Sequence, residues 1–370
     1  MAVEQHLLTR PLHADMLVRF RSGIMRARSW CRMLTQSPYR YLPAVVCAAL
    51  AVSYALVSEA ATLREQIRER VLERRGAARA EVSEAGQQID APRTPAALPA
   101  GVRVLRDQPY GKDARERFDV YLPELPVQGA PVIFMVHGGA WAYGDKAMPA
   151  VVEHKVARWV PRGFIVIATN YRMLPQAKAL QQARGVASAL ATAQARAAEW
   201  GADRQRFVLM GHSAGAHLVA LIASSPAISD GLSVTPWLGT VALDSAAFDV
   251  VQIMRSPRYP RFYDRAFGNE PAQWRLASPF HALKAAGAPL LAVCSSRRAD
   301  SCPQAQGFVD KAVPLGMRAS VLQEDLSHGD INRELGAESA YTDAVEAFIA
   351  SLEPSLDRLI GAARPVGTER

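Results

Sequence analysis

Cysteine is scarce in this 370-residue chain: there are four, with no C-x-x-C pair and no Cys/His spacing suited to zinc. A disulfide scaffold is thereby excluded, and metal catalysis has no support; no metal and no organic cofactor is expected. Cys294 and Cys302 flank the stretch Ser295 to Ser301 and read equally well as a small bridged loop, if the domain folds in an oxidising compartment, or as two separate thiols. Internal repeats are absent. A basic stripe is also absent: of the formal charge of +8, the first 41 residues contribute seven arginines against two acids, leaving 36 basic residues against 33 acidic ones beyond them. Without a nucleic-acid motif, this charge reads as a membrane-topology signal and excludes nucleic acid as a partner.

Long apolar runs are equally rare, and the one present is informative. Residues 42–57, LPAVVCAALAVSYALV, are uncharged, slightly short of a comfortable membrane span. Arginines at 19, 21, 26, 28, 32 and 40 precede the run, which would keep the N-terminus cytoplasmic and export the remainder of the chain. Cleavage as a signal peptide after Ser58-Glu59-Ala60 is the rival to a retained anchor. The expected location is thus a bacterial inner membrane with a periplasmic catalytic domain, or the periplasm after cleavage, with residues 42–57 as the membrane contact.

The rest is ordinary globular material, 49% hydrophobic and 21% charged over the whole chain. The organisation expected is a basic segment (1–41), the anchor or signal (42–60), a charged helix over Leu63 to Glu81 and a Pro/Ala-rich linker (61–100), a catalytic domain (101–353) and a tail (354–370). Within the domain, apolar strand patterns alternate with helical ones, which predicts a mostly parallel eight-stranded sheet with helices on both faces. The first two strands, either side of Pro109-Tyr110-Gly111-Lys112-Asp113, form a hairpin and make the sheet mixed.

Gly211-His212-Ser213-Ala214-Gly215 matches G-x-S-x-G between a strand pattern, Arg206 to Met210, and a helix pattern, Ala216 to Ile222. A sharp turn there lifts a serine hydroxyl clear of the backbone, and the small flanking residues let strand and helix approach. Ser213 is therefore the candidate nucleophile, with the helix N-terminus aimed at developing negative charge. Upstream, a strand over Val132 to Val136 runs into His137-Gly138-Gly139-Ala140-Trp141. Its glycines let backbone amides turn inward, and preorganised donors of this kind are worth about 3 kcal/mol each. Gly139, Ala140 and Ala214 are the expected oxyanion donors, and Trp141 the expected wall of the substrate pocket. His212 and His217 are read as packing residues.

A base should follow the last strand. His328, the last histidine, lies there in Asp325-Leu326-Ser327-His328-Gly329-Asp330, read as a polar turn. For the acid, Asp300 follows the strand Leu290 to Cys294 by a short loop and is the expected member of a Ser213–Asp300–His328 triad; Asp244, ending the preceding strand, is its competitor. The insert Phe248 to Trp274, rich in arginine and tyrosine, reads as a polar cap.

HGGAW, Asn170-Tyr171-Arg172-Met173-Leu174-Pro175, GHSAGAH and Ser327-His328-Gly329-Asp330-Ile331-Asn332 together resemble the bacterial esterases related to hormone-sensitive lipase and the feruloyl esterases, over roughly Tyr110 to Leu352. Met173 departs mildly from that pattern. HGGAW with GHSAGAHL and a late His-x-Asp-Ile is also similar to kynurenine formamidases. The resemblance implies an α/β-hydrolase fold, a serine mechanism on a small-molecule ester, or alternatively on an aryl formamide, and Asp300 as the acid. Ser-Ser-Arg-Arg-Ala replaces the usual glycine-rich acid loop. A catalytically silent scaffold domain tethered by its N-terminal segment, and a lipase with the insert as lid, are the other readings these features allow.

Overall fold

The computed structural model describes residues 64–66, 68 and 98–361, and the chain divides into two units. Of the first, residues 1–73, the described positions 64–66 and 68 are helical, within the expected charged helix; the apolar segment 42–57 lies outside the described residues. Among the described residues no helix is long and apolar enough to cross a membrane.

The second unit is built on eight strands: β1 (Val102–Pro109), β2 (Arg117–Pro123), β3 (Ala130–Val136), β4 (Ile165–Thr169), β5 (Ala202–His212), β6 (Gly239–Leu243), β7 (Leu290–Ser295) and β8 (Ala319–Glu324). They form one sheet in the order β1-β2-β4-β3-β5-β6-β7-β8. β1, β2 and β4 pair antiparallel, and every later pairing is parallel. The expected mixed, mostly parallel sheet is present.

Parallel strands covered on both faces need apolar residues at nearly every position, because successive side chains point to opposite sides. β3 follows this rule. Its seven residues are all buried, with Val132, Phe134 and Val136 in one hydrophobic layer and Ile133 and Met135 in the other. The first layer is closed by α2 (Ala179–Ala195) and α3 (Ala214–Ser224). The second is closed by α1 (Pro149–Trp159), α10 (Ala340–Ala350) and α11 (Pro354–Gly361). α8 (Ser301–Ala312) packs a third apolar group around β7, including Phe308 and Cys294.

The insert between β6 and β7, expected as a polar cap, is helical and polar on its outer side only. It holds α4 (Val250–Arg255), α5 (Phe262–Phe267), α6 (Pro271–Leu276) and α7 (Pro279–Ala282). Its aromatic residues Tyr263 and Phe267 turn inward and are buried, while Arg255, Arg258, Arg261, Arg265 and Arg275 face outward. The cap is thus amphipathic in short pieces that give no helical period long enough to read from sequence. The last short helix before the C-terminal pair is α9 (His328–Arg333).

Candidate active site

The site forms where β3, β5, β6, β7 and β8 all end, on the carboxyl edge of the sheet. At the end of β5, Ser213 has φ 55° and ψ −117°, outside the regions an L-residue favours. The turn is enforced by contacts that leave no room for larger neighbours. A Cβ at Gly211 would lie 2.4 Å from the Gly215 carbonyl oxygen, and one at Gly215 would lie 2.3 Å from that of Val136. β5 and α3 therefore meet closely at this point, and β3 backs them. From Phe207 to Ile222 every residue is buried except Ser213, which is partly exposed. Ser213 precedes the first residue of α3, yet its side chain makes no capping hydrogen bond. Ala214, opening α3, is one of the four positions whose N–H has no intrahelical acceptor.

The loop after β3 packs against this turn. A Cβ at Gly138 would come within 2.9 Å of the Ser213 Cβ. Gly139, Ala140 and Trp141 all have positive φ, at 108°, 48° and 60°, and the amides of Ala142 and Tyr143 both donate to the Gly139 carbonyl. The structure thus packs Gly138 against Ser213; Gly139 and Ala140 follow it in the same loop, and Ala214 opens α3 directly after the serine. Behind the loop, Arg115 bonds the Gly144 carbonyl at 2.7 Å and Asp145 at 3.0 Å, Asn170 donates to Asp145 at 2.9 Å, and the Tyr171 hydroxyl donates to the His137 carbonyl at 3.0 Å. The Asn170-Tyr171 turn after β4 is therefore the element that holds the glycine loop.

Trp141 is only 3% exposed. Its indole N–H donates to His217 Nδ1 at 3.2 Å, and its ring lies against Phe262, Tyr263 and Phe267 of the cap. It joins cap to α3, and at this burial it presents almost no surface as the expected pocket wall.

His328 opens α9, and the expected polar turn is the cap of this helix, where Ser327 accepts from the Asp330 amide. Its ring stands 4.5 Å from that of His212, whose Nε2–H donates to the His328 carbonyl at 2.9 Å. α9 is further tied down by Lys155 of α1, fully buried, which donates to the Asn332 carbonyl at 2.5 Å. Burial pushes that ammonium down to about 7.

The carboxylate facing His328 is Asp244, not Asp300. The Nδ1–H of His328 donates to Asp244 Oδ2 at 2.5 Å. Asp244 directly follows β6, next to the strand that leads into Ser213, with a positive φ of 54° that aspartate tolerates better than most residues. Asp300 sits just before α8 with its side chain 59% exposed, 3.6 Å from Arg298 Nε. The reason is the course of the β7–α8 loop. It sends Arg298 inward, 7% exposed, where its Nη1 meets Asp244 Oδ2 at 2.9 Å, and this leaves Asp300 facing out. The Ser295 amide donates to Asp244 Oδ1 at 2.8 Å and the Ser301 hydroxyl donates to the same oxygen. Burial alone would raise the Asp244 carboxyl; the Arg298 guanidinium and the His328 and Ser301 hydrogen bonds hold it far below the usual carboxylate range. Cys294 and Cys302 form a disulfide across this loop. Arg298 and Ser301 carry no sequence signal, since a loop arginine beside a second one, Arg297, reads as solvated.

Comparison with known proteins agrees with this architecture. The family model BD-FAE matches residues 118–235. A probable isoprenylcysteine alpha-carbonyl methylesterase of Oryza sativa subsp. japonica is 36% identical over 118 residues, 32% of this chain and 28% of that protein. Esterase LipC of Mycobacterium tuberculosis is 27% identical over 220 residues, 55% of this chain and 53% of its own length. The chain thus spans about half or less of these curated relatives. A truncated carbohydrate esterase from gut microbiota superposes with a TM-score of 0.60 at 18% identity, over 70% of this chain and 99% of that one. The fold is that of the α/β hydrolases.

Around this site three more histidines are held neutral. His217 Nε2–H donates to the Ala277 carbonyl at 2.7 Å, so its Nδ1 accepts from Trp141; His137 Nδ1–H donates to the Gly138 carbonyl at 2.7 Å. Burial lowers both to about 4, and holds His212 well below the usual imidazole value. A folded value below the unfolded one, about 6.5, means that the unfolded chain binds more protons between pH 4 and 6.5. Stability is therefore expected to be full above pH 6.5 and to fall below it by roughly 2 to 3 kcal/mol per pH unit for two such histidines. Urea melts at a series of pH values measure this slope; a flat profile from pH 6.5 to 4.5 would contradict the assignment.

Proposed function

We propose that this chain is a serine hydrolase that cleaves small-molecule carboxylic esters through an acyl-enzyme on Ser213, with His328 as base and Asp244 as acid. The observation that carries the reading is the Asp244–His328 hydrogen bond of 2.5 Å at the same sheet edge as a strained, partly exposed Ser213. With Nδ1 engaged by Asp244, Nε2 is the imidazole nitrogen that takes the Ser213 proton. The serine oxygen then bonds the ester carbonyl carbon, and the carbonyl electron pair moves to its oxygen. The N–H groups of Gly139, Ala140 and Ala214 receive that charge. Collapse breaks the bond to the alcohol oxygen, which leaves with the proton from His328. Water repeats the sequence on the acyl-enzyme and frees the carboxylic acid.

The esterase names of the relatives support the ester as substrate class. The Cys294–Cys302 disulfide supports an oxidising location, in keeping with export behind the apolar segment 42–57.

The test is turnover of short and long p-nitrophenyl esters by the full-length protein, with N-formylkynurenine alongside and a fluorophosphonate as active-site label. Ester turnover with stoichiometric labelling is expected. Turnover of the formamide in preference to every ester would replace the substrate class, and the absence of both turnover and labelling would favour a silent scaffold.

A further inference from the structure

The Asp244 carboxylate is held by more than its histidine. Besides His328 Nδ1, its oxygens receive the Ser295 amide at 2.8 Å, the Ser301 hydroxyl, and Arg298 Nη1 at 2.9 Å, and Arg298 Nη1 also reaches the Asp244 carbonyl at 3.2 Å. The Ser295, Ser301 and Arg298 donors all lie between Cys294 and Cys302, in a loop whose ends are joined by the disulfide. Arg298 Nη1 also stands 2.9 Å from His328 Nδ1. Both nitrogens carry hydrogens directed at Asp244, so the arginine and the imidazole share one carboxylate oxygen and do not bond each other. A guanidinium this deeply buried must be compensated, and removing one member of such a pair leaves an uncompensated charge on the other.

We propose that Arg298 is a positioning residue for the reaction: carried by the disulfide-closed loop, it aims the Asp244 carboxylate at His328 Nδ1 and keeps it ionised through the catalytic cycle. This rests on the hydrolase reading above. Ser295 and Ser301 anchor Oδ1, the arginine anchors Oδ2, and the carboxylate is left with one rotation, the one that receives the imidazole. Arg298 acts through Asp244. Removing its charge is therefore expected to lower kcat about 100-fold with KM within threefold, since only an interaction needed as the imidazolium forms is lost.

The experiment is a double-mutant cycle on the full-length protein, with kcat and KM for a short p-nitrophenyl ester. Arg298→Met is placed in the wild-type and Asp244→Asn backgrounds, and Arg298→Lys in wild type. The expected result is the 100-fold loss in wild type, a recovery of at least tenfold by lysine, and less than a threefold effect of Arg298→Met once Asp244 is asparagine. An equal factor in both backgrounds, or a loss under threefold in wild type, would overturn the proposal, because a merely structural role is additive. If Arg298→Met does not fold, Arg298→Gln takes its place in the same cycle. The downfield ring N–H proton of His328 in NMR spectra provides a readout independent of turnover. It should be present in wild type and in Asp300→Asn, and lost or shifted in the Arg298 variant. An unchanged resonance counts against Arg298 even if no ester is hydrolysed; absent turnover with a shifted resonance counts against the hydrolase reading alone.

Discussion

Ser213→Ala and His328→Ala are each expected to lower kcat for a short p-nitrophenyl ester by about 10⁶-fold, and Asp244→Asn by about 10⁴-fold, while Asp300→Asn stays within threefold of wild type. The ordering follows from the roles. Without Ser213 there is no acyl-enzyme, and without the imidazole the hydroxyl is a poor nucleophile at neutral pH. Asparagine at 244 keeps the shape, but its amide nitrogen can face Nδ1 and favour the tautomer with the proton on Nε2, the nitrogen that must accept it. Asp300, with a side chain 59% exposed and 3.6 Å from Arg298 Nε, loses only a weak surface pairing. Steady-state kinetics of the four purified variants decides the matter, with circular dichroism to verify folding. A loss of 10³-fold or more in Asp300→Asn, with Asp244→Asn active, would return the acid to the β7 loop.

Gly215→Val should abolish soluble expression or cost well over 3 kcal/mol, whereas Gly185→Ala should add about 1 kcal/mol. Both positions lie in helices, so intrinsic propensity alone gives both the same sign. Packing separates them. A Cβ at Gly215 would stand 2.3 Å from the Val136 carbonyl oxygen and 2.5 Å from that of His137, backbone atoms of a buried strand and of the loop after it, which cannot yield without opening the sheet. At Gly185, within α2, nothing lies within 4 Å of the added carbon, so alanine only removes unfolded-state freedom. Thermal melts of the two variants measure the contrast. A Gly215→Val protein that melts within a few degrees of wild type would show that β5 and α3 do not meet as described.

The composition and order of residues were enough to indicate most of this architecture. The short, mainly apolar runs of β3, β4, β6 and β7, bounded by turn residues, fit burial on both faces of a parallel sheet, and residues of that kind can be read without knowing their neighbours. The same holds for Ser213 and the Gly138-Gly139 loop, because a strand-to-helix turn crowded by backbone selects small residues within a few positions of the serine. Short helices such as α4 to α7 and α9 were not legible, since so few residues show no period, and their formation depends on the surface they cover.

The choice of acid marks the boundary between the two kinds of information. By itself the sequence pointed to an aspartate after the nucleophile as the partner of His328, and it put Asp300 ahead of Asp244. Which of them serves His328 depended on the path of the loop from Cys294 to Cys302, where a buried Arg298 takes the inward place and turns Asp300 to solvent. Local sequence encodes backbone preference and polarity over a few residues. The contact between Asp244 and His328 spans 84 positions and is set by the closing of three strand ends around one buried cation, which exists only once the sheet is assembled.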